Sequence, residues 1–594
     1  MKSSDRVISG NEIHPNGLLF RRAAFFMIVT TTVLFLIALM ALTLFPSGID
    51  VWGILMLICF ALTAPMTVIG FWHAVIGLGL MLFVRNPEAT VAPFLQSVVG
   101  DEPIVKKTAL AICIRNEEVG RLKRNLHLML NGLIETKCNA IFHLYILSDT
   151  NIPEVSRLEE NLSRELQDKF GALIGVTYRR RQTNEGFKAG NIREFCECHA
   201  ADNEYMIVLD ADSVMTPASM LRLVRIMQSN ARIGIVQTLV TGLPSPSVFA
   251  RIFQFGMRLG MRSYTLGAAS WQGDCGPYWG HNAIIRLEPF TKECHLPVLK
   301  GEPPLGGHIL SHDQIEAVLM RRAGYDVRVM PLEGGSYEET PPTLLEFIRR
   351  DLRWCQGNMQ YFKLIGLPDL KIISRVQILL AIALYTSAPA WLFFMLFGML
   401  RHAAVDEALG LLMLSLTLSM TFAPKLSTLL AVLMNQKQRK SFGGGRKILT
   451  GAIIELIFSM LVGPIAAVSV TMFVLGLPFG RQIGWTTQLR ESDGLTWSTA
   501  FMALWFHGLI GLGVAYWFWT KEINAWWIVA PFLASLLTAI PFAVITASRP
   551  LGRLLATISM CAIPEEHPMF IASAPALFTP FYDGITENPV RESF

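Results

Sequence analysis

In Tyr205-Met206-Ile207-Val208-Leu209-Asp210-Ala211-Asp212 a short apolar run ends in two carboxylates one residue apart. The run is β-prone and bounded by polar residues, so it reads as a buried strand. Open α/β sheets bind ligands in the crevice outside the carboxyl ends of their strands, where these two aspartates would project. Two hard oxygen ligands there can hold a divalent cation, and the cation can hold a diphosphate. Taken alone, Asp-x-Asp is equally a loop with two solvated acids, so the flanking sequence decides its meaning.

Outward from this run, residues 109–114, 142–147, 173–178 and 233–240 read as further buried strands. Helical patterns over residues 117–133, 154–170, 187–199 and 217–228 separate most of them. Alternation of this kind predicts a mostly parallel, doubly wound α/β domain, here over residues 86–374.

Hydrophobicity brackets that domain. The chain has 594 residues, 52% hydrophobic and 16% charged, with a mean hydropathy of +0.42. Such values describe an integral membrane protein. The net charge of +5 implies no nucleic-acid partner, and basic membrane-flanking loops account for it. The nine cysteines are scattered and form no disulfide framework. Cys196-Glu-Cys198-His199 lacks a second pair at zinc spacing. The N-terminus does not read as a cleavable signal, because a polar segment precedes an apolar stretch long enough to span.

Residues 23–45 read as a transmembrane helix, and 51–83 as a span that continues as a tilted or interfacial helix. Arg21, Arg22 and Arg85 flank this pair on one side, which the positive-inside rule makes cytoplasmic. Further spans are expected at 376–400, 409–434, 498–519 and 526–547. Lys425 interrupts the second of these and is expected to face protein or a polar cavity. Segment 449–480 is apolar but contains Gly463-Pro464, and is expected to be a broken, re-entrant or interfacial pair. The count is six spans, and up to eight. The expected division is an N-terminal cytoplasmic segment 1–22, a helix pair 23–85, the α/β domain 86–374, membrane helices 375–547 and a cytoplasmic tail 548–594. Within 375–547 lie a basic loop 435–448, the broken segment 449–480 and a polar loop 481–497.

Five motifs follow in order through the α/β domain. Arg115-Asn116-Glu117-Glu118 ends the first strand, and suits a nucleobase or ribose contact or a helix N-terminus. Ser148-Asp149 ends the second strand. Arg179-Arg-Arg181 with Gly186-Phe-Lys188-Ala-Gly190 combines basic side chains with a glycine turn before a helix, which suits a diphosphate or a solvated basic loop. Asp210-x-Asp212 is the fourth. The fifth comprises Gly280-His281-Asn282, Gly306-Gly-His308 with Ser311-His312-Asp313, and Arg350-Asp-Leu-Arg353-Trp354. Asp313 precedes a helical run at 314–323 and suits its N-cap. Arg353-Trp354 offers a cation beside a flat apolar face on which a sugar ring stacks.

In this order the motifs resemble those of the membrane-embedded, processive family-two glycosyltransferases with a GT-A fold, such as cellulose and hyaluronan synthases. That family carries an early Asp, Asp-x-Asp, Thr-Glu-Asp and Gln-x-x-Arg-Trp. Here Asp149, Asp210 with Asp212, Ser311-His-Asp313 and Arg350-x-x-Arg353-Trp354 correspond. The departures, with Arg-Trp354-Cys-Gln-Gly-Asn358, are similar to the branch that builds the β-glucan backbone of osmoregulated periplasmic glucans in Gram-negative bacteria. The resemblance implies a cytoplasmic GT-A domain inserted between transmembrane helices of a multi-pass inner-membrane protein. It implies inverting transfer of glucose from UDP-glucose to a β-glucan, with Asp313 as general base. Asn116, Glu117, Asp149, Lys188, Asp210 and Arg353 would bind the donor, and Tyr278, His281 and Trp354 the acceptor. Asp210 and Asp212 would hold Mg2+ or Mn2+. Trp485, Thr487 and Arg490 would belong to a gating loop. Trp391, Trp505, Phe506, Trp517 and Trp519 are candidates for lining an exit path or anchoring at the lipid interface. Periplasmic glucan-processing proteins and acyl carrier protein are implied only as family partners. The rival readings are a synthase of cellulose, chitin or hyaluronan, and a transporter that senses nucleotide. No Gly-x-x-x-x-Gly-Lys-Ser/Thr loop is present, which argues against an ATP-driven pump.

Overall fold

A computed structural model describes residues 15–200, 202–484, 494–521, 526–568 and 570. Helices α1 (Pro15–Leu44), α2 (Val51–Phe83) and the short α3 (Pro87–Val91) come first. The α/β domain then runs β1 (Thr108–Ile114), α4 (Val119–Glu135), β2 (Phe142–Ser148), α5 (Pro153–Phe170), β3 (Gly175–Arg180), α6 (Phe187–Cys198), β4 (Tyr205–Asp210), β5 (Val214–Met215), α7 (Pro217–Ser229), β6 (Ile233–Thr238) and β7 (Thr241–Gly242). It continues with α8 (Val248–Gln272), β8 (Ala283–Arg286), α9 (Leu287–Glu293), α10 (Asp313–Arg322), β9 (Asp326–Met330), β10 (Ser336–Glu338) and α11 (Leu344–Gln360). After it come α12 (Ile372–Leu400), α13 (Glu407–Met434), α14 (Gln436–Ser441), α15 (Gly445–Gly476), α16 (Trp497–Thr520), α17 (Trp526–Leu537), α18 (Ala539–Thr546) and α19 (Arg549–Thr557).

The main sheet has the order β3-β2-β1-β4-β8-β6-β9. All its pairings are parallel except those of β8, which runs antiparallel to both β4 and β6. The strand period of two splits β4 between the faces: Tyr205, Ile207 and Leu209 join one core cluster, Met206 and Val208 the other. Both faces are covered, which explains why the strand reads as a continuous apolar run. Register places Cys113 beside Asp210 and Ile114 beside Ser148, so the ends of β1, β2 and β4 share one edge. A small sheet, β5-β10-β7, brings Glu338 toward that edge.

By length and composition six helices among the described residues are able to cross a membrane, or seven with the bent pair α17 and α18. That pair turns by 60°, where the sequence reading has one straight span. Helix α8 is the bearing between the two halves of the protein. A Cβ at Gly77 of α2 would lie 1.9 Å from the Ser263 carbonyl oxygen, and one at Gly267 of α8 2.0 Å from that of His73. Only glycine lets these two helix backbones touch.

Helix α15 overturns the expected break at 449–480: it is continuous through Gly463 and Pro464. Gly463 is exposed and no neighbour lies within 4 Å of the place its Cβ would take, so packing there does not explain the continuity; a helix of membrane length and composition tolerates an internal proline. The helix packs along the base of the α/β domain. Ile448 and Phe458 join Phe249, Phe255 and Leu344, and Phe473 and Leu477 join Cys355 and Tyr361. Both of its ends therefore touch catalytic-side helices. Lys425 of α13 is ion-paired with Glu455 of α15 and donates to Ser459 Oγ at 2.6 Å, so it faces protein as expected.

Candidate functional site

The strand ends open on a cavity of about 640 Å³ walled by residues from all five motifs. Arg115, Glu117, Asp149, Lys188, Asp210 and Asp212 are among them. Asp149 is gripped by Arg181, whose Nε and Nη2 donate to its two carboxylate oxygens at 2.7 and 2.8 Å. Arg181 also donates to the Glu185 and Phe187 carbonyls, both at 3.0 Å. It thereby shapes the turn that starts α6, where Gly186 has φ 67° and Phe187 φ 54°. The turn delivers Lys188, which is ion-paired with Asp210 and donates to the Gly280 carbonyl at 2.8 Å. Burial pulls the Lys188 pKa down, and Asp210 more than offsets it, so the ammonium titrates above its usual value.

Asn116 is a correction. It does not line the cavity. Its side chain accepts from the Asn151 and Ile152 N–H groups at 3.2 and 3.3 Å, and its own N–H donates to Thr150 Oγ1 at 2.8 Å. It clamps the turn after β1 to the turn after β2. Asn tolerates the left-handed backbone, φ 53°, that this requires.

His281, Asp313, Glu338, Arg350, Arg353 and Trp354 also line the cavity. Asp313 is the first residue of α10, and His312 takes the N-cap position, so the expected capping role is corrected by one residue. Burial raises the Asp313 pKa above the usual carboxylate value. His312 is buried and paired with Glu316, Nδ1 to Oε2 at 2.8 Å. Burial disfavours its charged form, but the Glu316 carboxylate outweighs that and raises its pKa. The loop before Asp313 is pinned by α11. Gln360 Oε1 accepts from the Leu310 N–H at 2.9 Å, and Tyr361 just beyond the helix donates to the Ser311 carbonyl at 2.6 Å. His281 Nε2 lies 3.5 Å from Glu338. Tyr278 is a second correction: it is fully buried under the sheet and lines no part of the cavity. An apolar-rich setting, invisible in the local motif, captured it.

Trp354 is 49% exposed, with the Arg350 guanidinium 4.8 Å above its ring. Gln482, Ile483 and Gly484 complete the wall, and the Ile483 N–H donates to Gln356 Oε1 at 2.9 Å. Trp485, Thr487 and Arg490, the expected gating residues, lie outside the described residues. Trp391, Trp505, Phe506, Trp517 and Trp519 do not line this cavity, and Trp505 and Trp519 are exposed on the outer surface. Sequence reasoning missed the organising role of Arg181 and the pinning by Gln360 and Tyr361. The latter follow Arg353-Trp354 on the same helical segment, which was the available signal.

Among the described residues no three metal-ligating side chains stand together. Asp210 and Asp212 supply two hard carboxylates on the cavity wall, which fits a cation whose other ligands are phosphate and water oxygens.

A GT-A-like sheet with an Asp-x-Asp at its ligand-binding edge, carried on membrane-length helices, defines a membrane-embedded family-two glycosyltransferase. The descriptions "Glycosyl transferase family 2" and "Glycosyl transferase family group 2" match residues 110–293 and 205–434. The chain is 33% identical over 579 residues to glucans biosynthesis glucosyltransferase H of Xanthomonas campestris pv. campestris (strain B100), covering 93% of this chain and 88% of that one. It is 34% identical over 490 residues to the protein of the same name from Vibrio cholerae serotype O1 (strain ATCC 39541 / Classical Ogawa 395 / O395), covering 78% and 68%. The chain belongs to the glucans biosynthesis glucosyltransferase H family. Among solved structures, a mannosyltransferase from Pyrobaculum calidifontis in complex with GDP-Man and Mn2+ aligns with 13% identity and a TM-score of 0.35, over 66% of this chain and 99% of that one.

Proposed function

We propose that this glucosyltransferase moves glucose from UDP-glucose to a growing β-glucan, with inversion and most simply through a β-1,2 linkage. The observation that carries the reading is that Asp313 and Trp354 share one cavity with Asp210, Asp212 and Lys188. Glu117 and Asp149 hold the uridine side. Lys188 and Arg353 meet the charge that develops on the leaving diphosphate. A divalent cation held by Asp210 and Asp212 supplies further neutralisation of that diphosphate when bound. Trp354 carries the acceptor ring, with His281 beside it. Asp313 takes the proton from the acceptor hydroxyl as it attacks the anomeric carbon from the face opposite UDP. Burial supports the role, since it raises the basicity of Asp313. One displacement inverts the centre, so no covalent sugar–enzyme intermediate forms.

The α/β domain faces the cytoplasm of the inner membrane in this reading. Arg21, Arg22, the basic stretch from Lys437 to Lys447, Arg549 and Arg553 all flank membrane helices on its side, as the positive-inside rule requires. The product then leaves through the helices toward the periplasm. The test is product analysis in nanodiscs with radiolabelled UDP-glucose and magnesium. A polymer cut by a β-1,2-glucanase supports the reading. A polymer cut only by cellulase moves the chain to a different linkage, and UDP binding without any polymer removes the transferase reading of the isolated chain.

A further inference from the structure

Arg350 stands in an unusual state. Its guanidinium lines the cavity, and its Nε is buried with no hydrogen-bond partner. Among the described residues no hydrogen bond or salt bridge holds it, and its guanidinium lies over the Trp354 ring, 4.8 Å from the centroid. The side chain as a whole is half-buried, but a guanidinium nitrogen withdrawn from water with no oxygen partner is costly, and burial lowers the pKa of the group. The cost falls when a ligand brings oxygens to it.

The charges around the two cavity arginines of α11 sort them. Arg353 feels Glu346 and, on the nucleotide side, Glu117. Arg350 feels Glu338, with Asp351 and Tyr385 behind it. Tyr385 already donates to Asp351 at 3.1 Å, which leaves Glu338 as the carboxylate sharing the cavity wall with Arg350. Arg353 therefore belongs to the donor side, and Arg350 to the side of Glu338, His281 and Trp354.

We propose that Arg350 and Glu338 form a clamp that reads the hydroxyls of the acceptor glucosyl unit lying on Trp354. The clamp fixes which hydroxyl meets Asp313. A guanidinium only donates hydrogen bonds, and an ionised carboxylate only accepts them. Placed on either side of a sugar ring, the two define its rotation on the tryptophan face, which stacking alone leaves free. Arg350 is also the position at which this chain departs from the Gln of Gln-x-x-Arg-Trp. A neutral amide both donates and accepts, and gives a weaker directional signal. The ligand class is a neutral β-linked glucose oligosaccharide, not a second phosphate.

This inference rests on the transferase reading above, and its test is separable from it. Binding of a radiolabelled β-glucan oligosaccharide to the full chain in UDP-loaded nanodiscs is measured for wild type, Arg350→Gln and Glu338→Gln, beside UDP affinity. Each variant is expected to weaken oligosaccharide binding by about tenfold or more, with UDP affinity held within about twofold. Where wild type makes polymer, each variant is also expected to yield a second linkage or to release glucose to water. A loss of UDP affinity in Arg350→Gln with oligosaccharide binding intact would place Arg350 on the donor and overturn the clamp. Unchanged binding and linkage in both variants would overturn it too. Glu338→Gln conserves volume, so it decides the matter if Arg350→Gln fails to fold. Absence of polymer from wild type would count against the transferase reading alone, because the binding arm still reports on the clamp.

Discussion

Arg181 and Asp149 form a fork of two parallel hydrogen bonds, 2.7 and 2.8 Å long, with both side chains almost wholly buried. The pair links the end of β2 to the turn that carries Lys188. Asp149→Ala leaves the buried Arg181 guanidinium without its carboxylate, with the Glu185 and Phe187 carbonyls and distant Glu194 to offset it, and is expected to destabilise the domain by about 2–4 kcal/mol. UDP affinity should fall with it, because the Lys188 turn loses its brace. Thermal unfolding and UDP calorimetry in nanodiscs check both effects. A variant with full stability and full UDP affinity would show the fork to be dispensable.

Asp212→Ala should separate metal-dependent from metal-independent nucleotide binding. In wild type, chelating divalent cations is expected to weaken UDP binding by roughly tenfold or more. In the variant, chelation should change little, because the metal contribution is already lost. Titrations with and without EDTA give the comparison, and an equal EDTA effect in both proteins would exclude Asp212 as a ligand.

With Asp313 as the proposed base, the acid limb of the pH–rate profile is expected to follow its titration. Its pKa is raised above 3.8 by burial, so the protonated, inactive carboxyl persists to higher pH than for a solvated aspartate. Transfer is expected to fall on acidification with a midpoint above that value. Asp313→Asn should lower transfer by roughly 10²–10⁴ and flatten this limb, while UDP still binds. Full turnover by a folded Asp313→Asn protein would remove it as the base.

His312 links stability to pH in the opposite range. Its folded pKa lies above 6.5, so the stabilisation is fully present below 6.5 and is lost as pH rises through the folded value. Glu316→Gln removes the main group that opposes burial, so the loss of stability with rising pH should shrink or reverse. Unfolding temperatures from pH 6 upward, compared between the two proteins, carry the answer; parallel curves would dissociate His312 from Glu316.

Gly357 sets the distance between α11 and the loop ahead of Asp313. A Cβ there would lie 2.2 Å from Ser311 Oγ and 2.6 Å from the Ser311 nitrogen. Gly357→Ala is expected to cost about 1–3 kcal/mol and to reduce transfer more than UDP binding, since the displaced loop leads to Asp313. Unaltered melting and turnover would show that the loop yields freely.

Much of this was legible in the residues. The strands β1, β2, β4 and β6 and the helices between them announce themselves by long, one-period patterns. Strand β8 does not, because its four residues are too few to show a period and its antiparallel direction depends on partners far along the chain. Helix α8 is amphipathic in the middle of a charged domain, and nothing local reveals that it carries membrane helices. Gly463-Pro464 reads as a break by the rules of helices in water, yet α15 runs on through it, as membrane-length helices do through an internal proline. At the site, residue type picked out Asp210, Asp212, Lys188, Asp313 and Trp354, all of which line the cavity. It misplaced Asn116 and Tyr278, because proximity in a motif does not say which way a side chain points.

The contact of α2 with α8 through Gly77 and Gly267 bears on how the enzyme is to be handled. A helix that forms the floor of the catalytic half is clasped, backbone to backbone, by one that lies among the membrane spans. Cutting out residues 86–374 would leave α8 with a bare apolar flank and no clasp, so the fragment is expected to aggregate rather than work as a soluble catalyst. Lipid loss and substitutions deep in the bilayer should accordingly register as lost chemistry, and screens for activity on this protein will score its membrane helices as harshly as its aspartates.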